Sequence, residues 1–95
     1  MIEGIQTIEN LKFQYFLLKG RAYMGLEQYD TAIDHLIEGN KIYDSDVILL
    51  NALGYCYYKT GDKEEALNVL RASLSLNSGQ DEVKQLISEI EKDNK

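Results

Sequence analysis

The sequence has no proline, one cysteine and one histidine among its 95 residues. A single cysteine cannot form an internal disulfide, so the fold does not depend on an oxidising compartment. The lack of proline, together with abundant Leu, Ile, Ala, Glu and Lys, favours helices over a sandwich or a barrel. The longest apolar runs, such as Val47 to Leu50, are too short to span a bilayer. We therefore predict one small helical domain.

Basic residues are also scarce. Ten Lys and Arg residues stand against 16 Asp and Glu residues, which gives a formal net charge of −6. The densest basic point is the short stretch from Lys19 to Arg21, so nucleic acid and anionic lipid are not the predicted partners. The N-terminal stretch MIEGIQTIEN has early acidic residues and no long apolar segment, unlike a signal peptide. The predicted location is therefore cytoplasmic.

The chain repeats itself at an interval of 34 residues. Among eight pairs that match in size or polarity between the two halves under this shift, four are identical. The identical pairs are Gly20 and Gly54, Tyr23 and Tyr57, Ala32 and Ala66, and Leu36 and Leu70. Helical sequences rarely align glycine, tyrosine and alanine in one register by chance, so we infer two structural repeats.

Each repeat has the pattern of a helix, a tight turn and a second helix. In the second repeat Gly61 is expected to end the first helix, and Asp62 with Glu65 forms a capping pair for the next. The first repeat breaks between Gly25 and Gln28, with a weaker cap because Gln28 replaces the aspartate. After the repeats, one further helix has an apolar face that suits a terminal cap. That face consists of Val83, Leu86, Ile87 and Ile90.

The stretches FLLKGRAY…YDTAIDHLIEG and LNALGYCYYKTGDKEEALNVLRASLSLN resemble tetratricopeptide repeats. The resemblance implies an all-α fold of about five helices, in which antiparallel helix hairpins stack as a short right-handed solenoid. It divides the chain into repeats at 13–46 and 47–80 and a capping helix at 81–95. Lys19 replaces the family's preferred leucine, and Asp44 and Ser78 replace its prolines. The first repeat is therefore expected to be less regular.

Residues 1–12 allow two interpretations. Ile2, Ile5 and Ile8 follow a three-residue step that could extend the first helix. They also fall where the second helix of a preceding repeat would end, so the chain could be cut from a longer array. Both interpretations stay open at this point.

The sequence gives little support for catalysis. Cys56 takes the place of Ala22 in the repeat register, which is a small packing position rather than that of a nucleophile. One histidine, His35, and one cysteine cannot supply a four-ligand metal site, and acidic residues such as Glu64 fit a helix start. The glycines are dispersed and form no phosphate-binding loop. We predict a non-enzyme with no catalytic residue, no cofactor and no metal.

By similarity to the family, the first helix of each repeat would line a concave groove that binds a peptide or helix from a partner protein. Tyr55 and Tyr58 would be rigid anchors there, although exposed tyrosines can also be ordinary surface residues. The predicted groove residues are Leu17, Arg21, Met24, Ile48, Asn51, Tyr55, Tyr58 and Lys59, with Gln14, Gln85 and Glu89 beside them.

Family members that bind heat-shock protein tails hold the terminal carboxylate with lysine, asparagine and arginine side chains. The matching positions here are Leu17, Arg21, Ala52, Glu82 and Leu86, of which only Arg21 could bind a carboxylate. Heat-shock tails are therefore not the predicted ligand.

The alternative function is self-association into a homo-oligomer. The N-terminal end of the solenoid has no obvious polar cap, and its apolar residues could be buried against a second copy. These residues are Ile5, Ile8, Leu11 and Phe13.

Overall fold

The computed structural model describes the backbone of residues 3–93 and the side chains of residues 8–93. These residues form five helices: α1 (Glu3–Gly25), α2 (Tyr29–Ile42), α3 (Val47–Lys59), α4 (Lys63–Leu76) and α5 (Asp81–Asp93). The main contacts join α1 to α2 and α3 to α4, and α2 then packs on α3. The expected all-α fold of stacked helix hairpins is confirmed.

Glycine allows the two helices of each hairpin to approach closely. A Cβ atom added at Gly54 would lie 2.5 Å from Leu70 Cγ, and one added at Gly20 would lie 2.5 Å from Leu36 Cγ. Both leucines are fully buried, so they have no free space into which to move. The repeat register therefore marks the point of closest contact in each hairpin.

Helix α3 packs against both α2 and α4 and has more buried residues than α2, α4 or α5. Its Leu49, Ala52 and Cys56 belong to a core cluster with Ala32 and Leu36 of α2. A second cluster joins α4 to α5, where Val83, Ile87 and Ile90 are buried against α4 residues that include Leu70. Tyr57 of α3 packs against both clusters, so the two hairpins and α5 form one stack.

The two hairpin turns share an unusual backbone conformation. Glu27 has φ 61° and Gly61 has φ 86°, and these residues are 34 apart in sequence. The Gln28 amide donates to Tyr23 O over 2.9 Å, and the Asp62 amide donates to Tyr57 O over 2.8 Å. Both turns therefore need a left-handed residue, but only the second turn supplies glycine.

The Asp62 side chain does not cap helix α4, so the predicted capping pair of Asp62 with Glu65 is not formed. Asp62 occupies the N-cap position of α4 with φ −92° and ψ 72°, outside the extended conformation that favours capping, and its side chain makes no cap bond. Asp46 is extended instead, and its Oδ1 accepts the Leu49 amide over 2.9 Å at the start of α3. The strong cap thus lies at the junction between the repeats.

Glu27→Gly is expected to raise the free energy of unfolding by about 1 kcal/mol, because a side chain with Cβ is strained at positive φ. Chemical denaturation followed by circular dichroism would measure the change. Gly61→Ala is the matched control and should lower stability by a similar amount. Equal stability of Glu27→Gly and the parent chain would show that the turn is not strained.

The N-terminal part of α1 projects beyond the first hairpin. Ile2 and the side chain of Ile5 lie outside the described residues. Ile8 and Leu11 are exposed, whereas Phe13 is only 4% exposed and meets Tyr43 edge-to-face at 5.8 Å. The expectation that Phe13 leaves apolar area uncovered is therefore wrong, because the end of α2 covers it. No helix within residues 3–93 combines the length and apolar character needed to cross a membrane.

Candidate functional site

An open cleft of about 420 Å³ lies between α1 and α3. Arg21 and Met24 form its α1 side. The α3 side consists of Ile48, Asn51, Ala52 and Tyr55. We refer to these six residues as the α1–α3 cleft. Its walls combine apolar surface, one cation, one amide and one phenol, and five of the six residues were predicted from the sequence.

Asn51 is held in a fixed orientation by a hydrogen-bond chain. The buried Ser73 Oγ and the Ser73 carbonyl both accept from Gln80 Nε2, at 3.0 and 3.1 Å. Gln80 Oε1 in turn accepts from Asn51 Nδ2 over 2.8 Å. This chain leaves Asn51 Oδ1 buried without a donor among the described residues. This oxygen is inaccessible from the cleft, so the hydrogen-bond chain fixes the Asn51 side chain in the cleft wall and does not present a free acceptor to a ligand.

Aromatic rings and a lysine surround Tyr55. The Tyr29 and Tyr55 rings meet edge-to-face at 6.1 Å. Lys59 Nζ lies 5.9 Å from the centroid of the Tyr55 ring and 6.0 Å from that of Tyr29. These contacts restrict the Tyr55 ring, which is still 37% exposed, so it offers a rigid apolar surface to a ligand.

Arg21 is the cation of the cleft. Its side chain is exposed, and none of the ion pairs among residues 8–93 involves it. Its guanidinium group is therefore available to bind a carboxylate of a ligand in a bidentate manner.

Three predicted groove residues lie outside the cleft. Leu17 is 7% exposed and belongs to the core cluster with Leu49 and Leu53, so its assignment to the groove is wrong. Tyr58 is half-buried, and its hydroxyl donates to Asp93 Oδ2 over 3.1 Å; this hydrogen bond raises the Tyr58 pKa. Lys59 reaches the site only through its contact with Tyr55. Helix α1 contributes less to the groove than expected because Leu17 is buried in the core cluster.

The flanking residues that were predicted also lie away from the cleft. Gln85 and Glu89 are exposed on α5. Gln14 lines a second cavity of about 420 Å³, beside Phe13, Ile42 and Tyr43. Sequence reasoning missed Ala52 and Gln80. The small residue at 52 gave no functional signal, and only the folded chain brings Gln80 within reach of Asn51.

Cys56 and His35 do not form a nucleophile and base. Cys56 is fully buried, and burial raises the pKa of its thiol to about 11, so the thiol stays protonated near neutral pH. The His35 ring stacks on Tyr23 at 5.2 Å, and its Nδ1 donates to Thr31 O over 3.0 Å. Both side chains are used in packing. Among the described residues, no cluster of three His, Cys, Asp or Glu side chains has the arrangement of a metal site.

The Cys56 thiol is expected to resist iodoacetamide at neutral pH in the folded protein and to react readily in denaturant, because the folded thiol is both buried and protonated. Mass spectrometry of timed samples would measure the reaction. The raised pKa also makes the stability of the fold depend on pH. The stabilisation that comes from keeping the Cys56 thiol protonated is complete below the pKa of this thiol in the unfolded chain and is lost as the pH rises through about 11. Rapid alkylation of the folded chain would contradict the packing role.

Comparison with known families identifies both hairpins. One model of the tetratricopeptide repeat matches residues 13–46, and another matches residues 47–79. Together the matches cover most of the chain, including α1 from Phe13 onward, α2, α3 and α4. No curated protein matches the sequence.

Proposed function

The chain belongs to the tetratricopeptide repeat family, whose repeats form protein–protein interaction scaffolds, and from this premise we propose that it binds a peptide segment of a partner protein in the α1–α3 cleft. The single observation that carries the proposal is the cleft itself, which is lined both by the 37% exposed ring of Tyr55 and by the exposed side chain of Arg21. Repeats of this family are generally non-catalytic, and the buried, protonated Cys56 agrees with that role.

The cleft suits a ligand of defined chemistry. An apolar side chain of the peptide would contact Met24 and Ile48, and a carboxylate would pair with Arg21. The Tyr55 ring would lie against the peptide as its anchor. This arrangement predicts a preference for short segments that combine an apolar residue with an acidic residue or a free C-terminus.

Tyr55→Ala is expected to weaken partner binding about tenfold or more, because it removes the rigid aromatic surface of the cleft. Affinity isolation from native lysate with quantitative mass spectrometry would measure the loss of each partner. Tyr43→Ala is the matched control, since Tyr43 is a 53% exposed tyrosine outside the cleft. Equal recovery of every partner by both variants would contradict the proposal.

Self-association is the second candidate; the exposed Ile8 and Leu11 favour it, whereas the adjacent Lys12 and Lys19 oppose an antiparallel pairing of two copies. Sedimentation velocity over a concentration series tests it. A sedimentation coefficient that rises with concentration would support it, and a strict monomer would exclude it.

A further inference from the structure

The outer face of α1 carries an uncovered apolar stripe. Ile8, Leu11, Tyr15 and Leu18 follow the alternating three- and four-residue spacing of heptad a and d positions. Their exposed fractions are 55%, 62%, 54% and 71%. We refer to these four residues as the α1 stripe. It lies on the opposite side of α1 from the buried residues Phe13, Leu17 and Gly20.

The face of α3 that corresponds to the α1 stripe is covered by another helix. The 34-residue register places Tyr15, Leu18 and Ala22 at the positions of Leu49, Ala52 and Cys56. These three α3 residues are 0%, 7% and 0% exposed, because α2 packs over them. The same face of α1 has no helix over it among the described residues. Its geometry is therefore that of a helix-docking surface.

The charges beside the stripe indicate which charge a partner of this surface would carry. Lys12 and Lys19 follow one edge and Arg21 lies near the other, whereas Glu9 is the only acidic residue from 8 to 25. This part of the chain is therefore positive although the whole chain has a net charge of −6. Lys19 Nζ lies 5.9 Å from the centroid of the Tyr15 ring, which keeps the cation close to the stripe.

A second copy of the chain is a poor match for this surface. An antiparallel pairing of two α1 stripes would bring Lys12 and Lys19 of one copy against those of the other, and a parallel pairing would place Lys19 against the neutral Gln14, so neither orientation gives the lysines an acidic partner. The described apolar faces of α2, α4 and α5 are already used in the two core clusters. We propose that the α1 stripe binds an amphipathic helix of a different protein, with an apolar seam flanked by acidic residues. Arg21 borders both this surface and the α1–α3 cleft, but none of the four stripe residues, nor Lys12 or Lys19, lines the cleft, so either proposal can fail without the other.

Two synthetic helical peptides would test the proposal. Both have leucine at the heptad a and d positions, one with glutamate and the other with lysine at e and g. Fluorescence anisotropy would measure their binding to the whole chain, to the Leu11→Ser, Leu18→Ser variant and to a control variant. The control is Leu26→Ser, Leu76→Ser, which changes two exposed leucines outside the stripe. Circular dichroism would verify that each variant is folded.

The glutamate peptide should bind the parent chain and the control at least about tenfold more tightly than the lysine peptide does. The stripe variant should lose about tenfold or more of that affinity. Lys12→Glu with Lys19→Glu should reverse the preference between the peptides. Equal binding of both peptides, absence of binding, or an unaffected stripe variant would overturn the proposal. A parent dimer that the stripe variant dissociates would also overturn it, by identifying a second copy as the occupant.

Discussion

Leu70→Ala is expected to lower the free energy of unfolding by about 2–5 kcal/mol. Leu70 is fully buried in the cluster that joins α4 to α5, and its side chain also faces Gly54 of α3. The substitution removes apolar contacts from three helices, and the short backbone contact at Gly54 limits how far the site can collapse. The remaining cavity adds to the loss of buried area.

Urea denaturation followed by circular dichroism would measure this change. Leu76→Ala is the control on the same helix, since Leu76 is 49% exposed and should change stability by about 0.5 kcal/mol or less. Similar losses from the two variants would show that α4 is not held against α3 and α5 as described.

Gly54→Ala is expected to destabilise the fold by about 1–3 kcal/mol through overpacking, even though alanine is the better helix former by about 1 kcal/mol. The new Cβ would lie 2.5 Å from Leu70 Cγ and 3.2 Å from Val69 Cγ2. Gly25→Ala is the matched control, because no atom lies within 4 Å of a Cβ added there. The control should be neutral or slightly stabilising.

The cause of the Gly54→Ala effect can be isolated in the Leu70→Ala background. Leu70→Ala removes the Cγ and Cδ2 atoms with which the new methyl group would clash. Gly54→Ala should then become neutral or stabilising, so the two changes are strongly non-additive. Additive losses would show that the glycine is needed for a reason other than close helix contact.

The repeat register predicted the hairpin contacts well. Gly20 and Gly54 could be located from sequence because close helix packing excludes a Cβ, and this constraint leaves the same residue in both repeats. The turns were less predictable. Glu27 has a positive φ, as Gly61 does, and nothing about glutamate signals that conformation.

The candidate site was predicted only in part. Leu17 and Asn51 share one register position, but Leu17 is buried in the core cluster, whereas Asn51 lines the cleft and donates to Gln80. A repeat register gives the face of a helix on which a residue lies. It does not give what the following elements cover, since that depends on the stacking of unlike neighbours. Ala52 and Gln80 were missed for the same reason, because their roles come from packing and long-range hydrogen bonds.

The α1–α3 cleft is the proposed peptide-binding surface. The most direct test is amide chemical-shift mapping of the ¹⁵N-labelled chain, titrated with a peptide selected for binding to it from a random library. We expect the largest shifts to fall on Arg21, Asn51 and Tyr55 and Tyr55→Ala to abolish them. Shifts centred on the second cavity, at Phe13, Ile42 and Tyr43, would show that the peptide binds elsewhere.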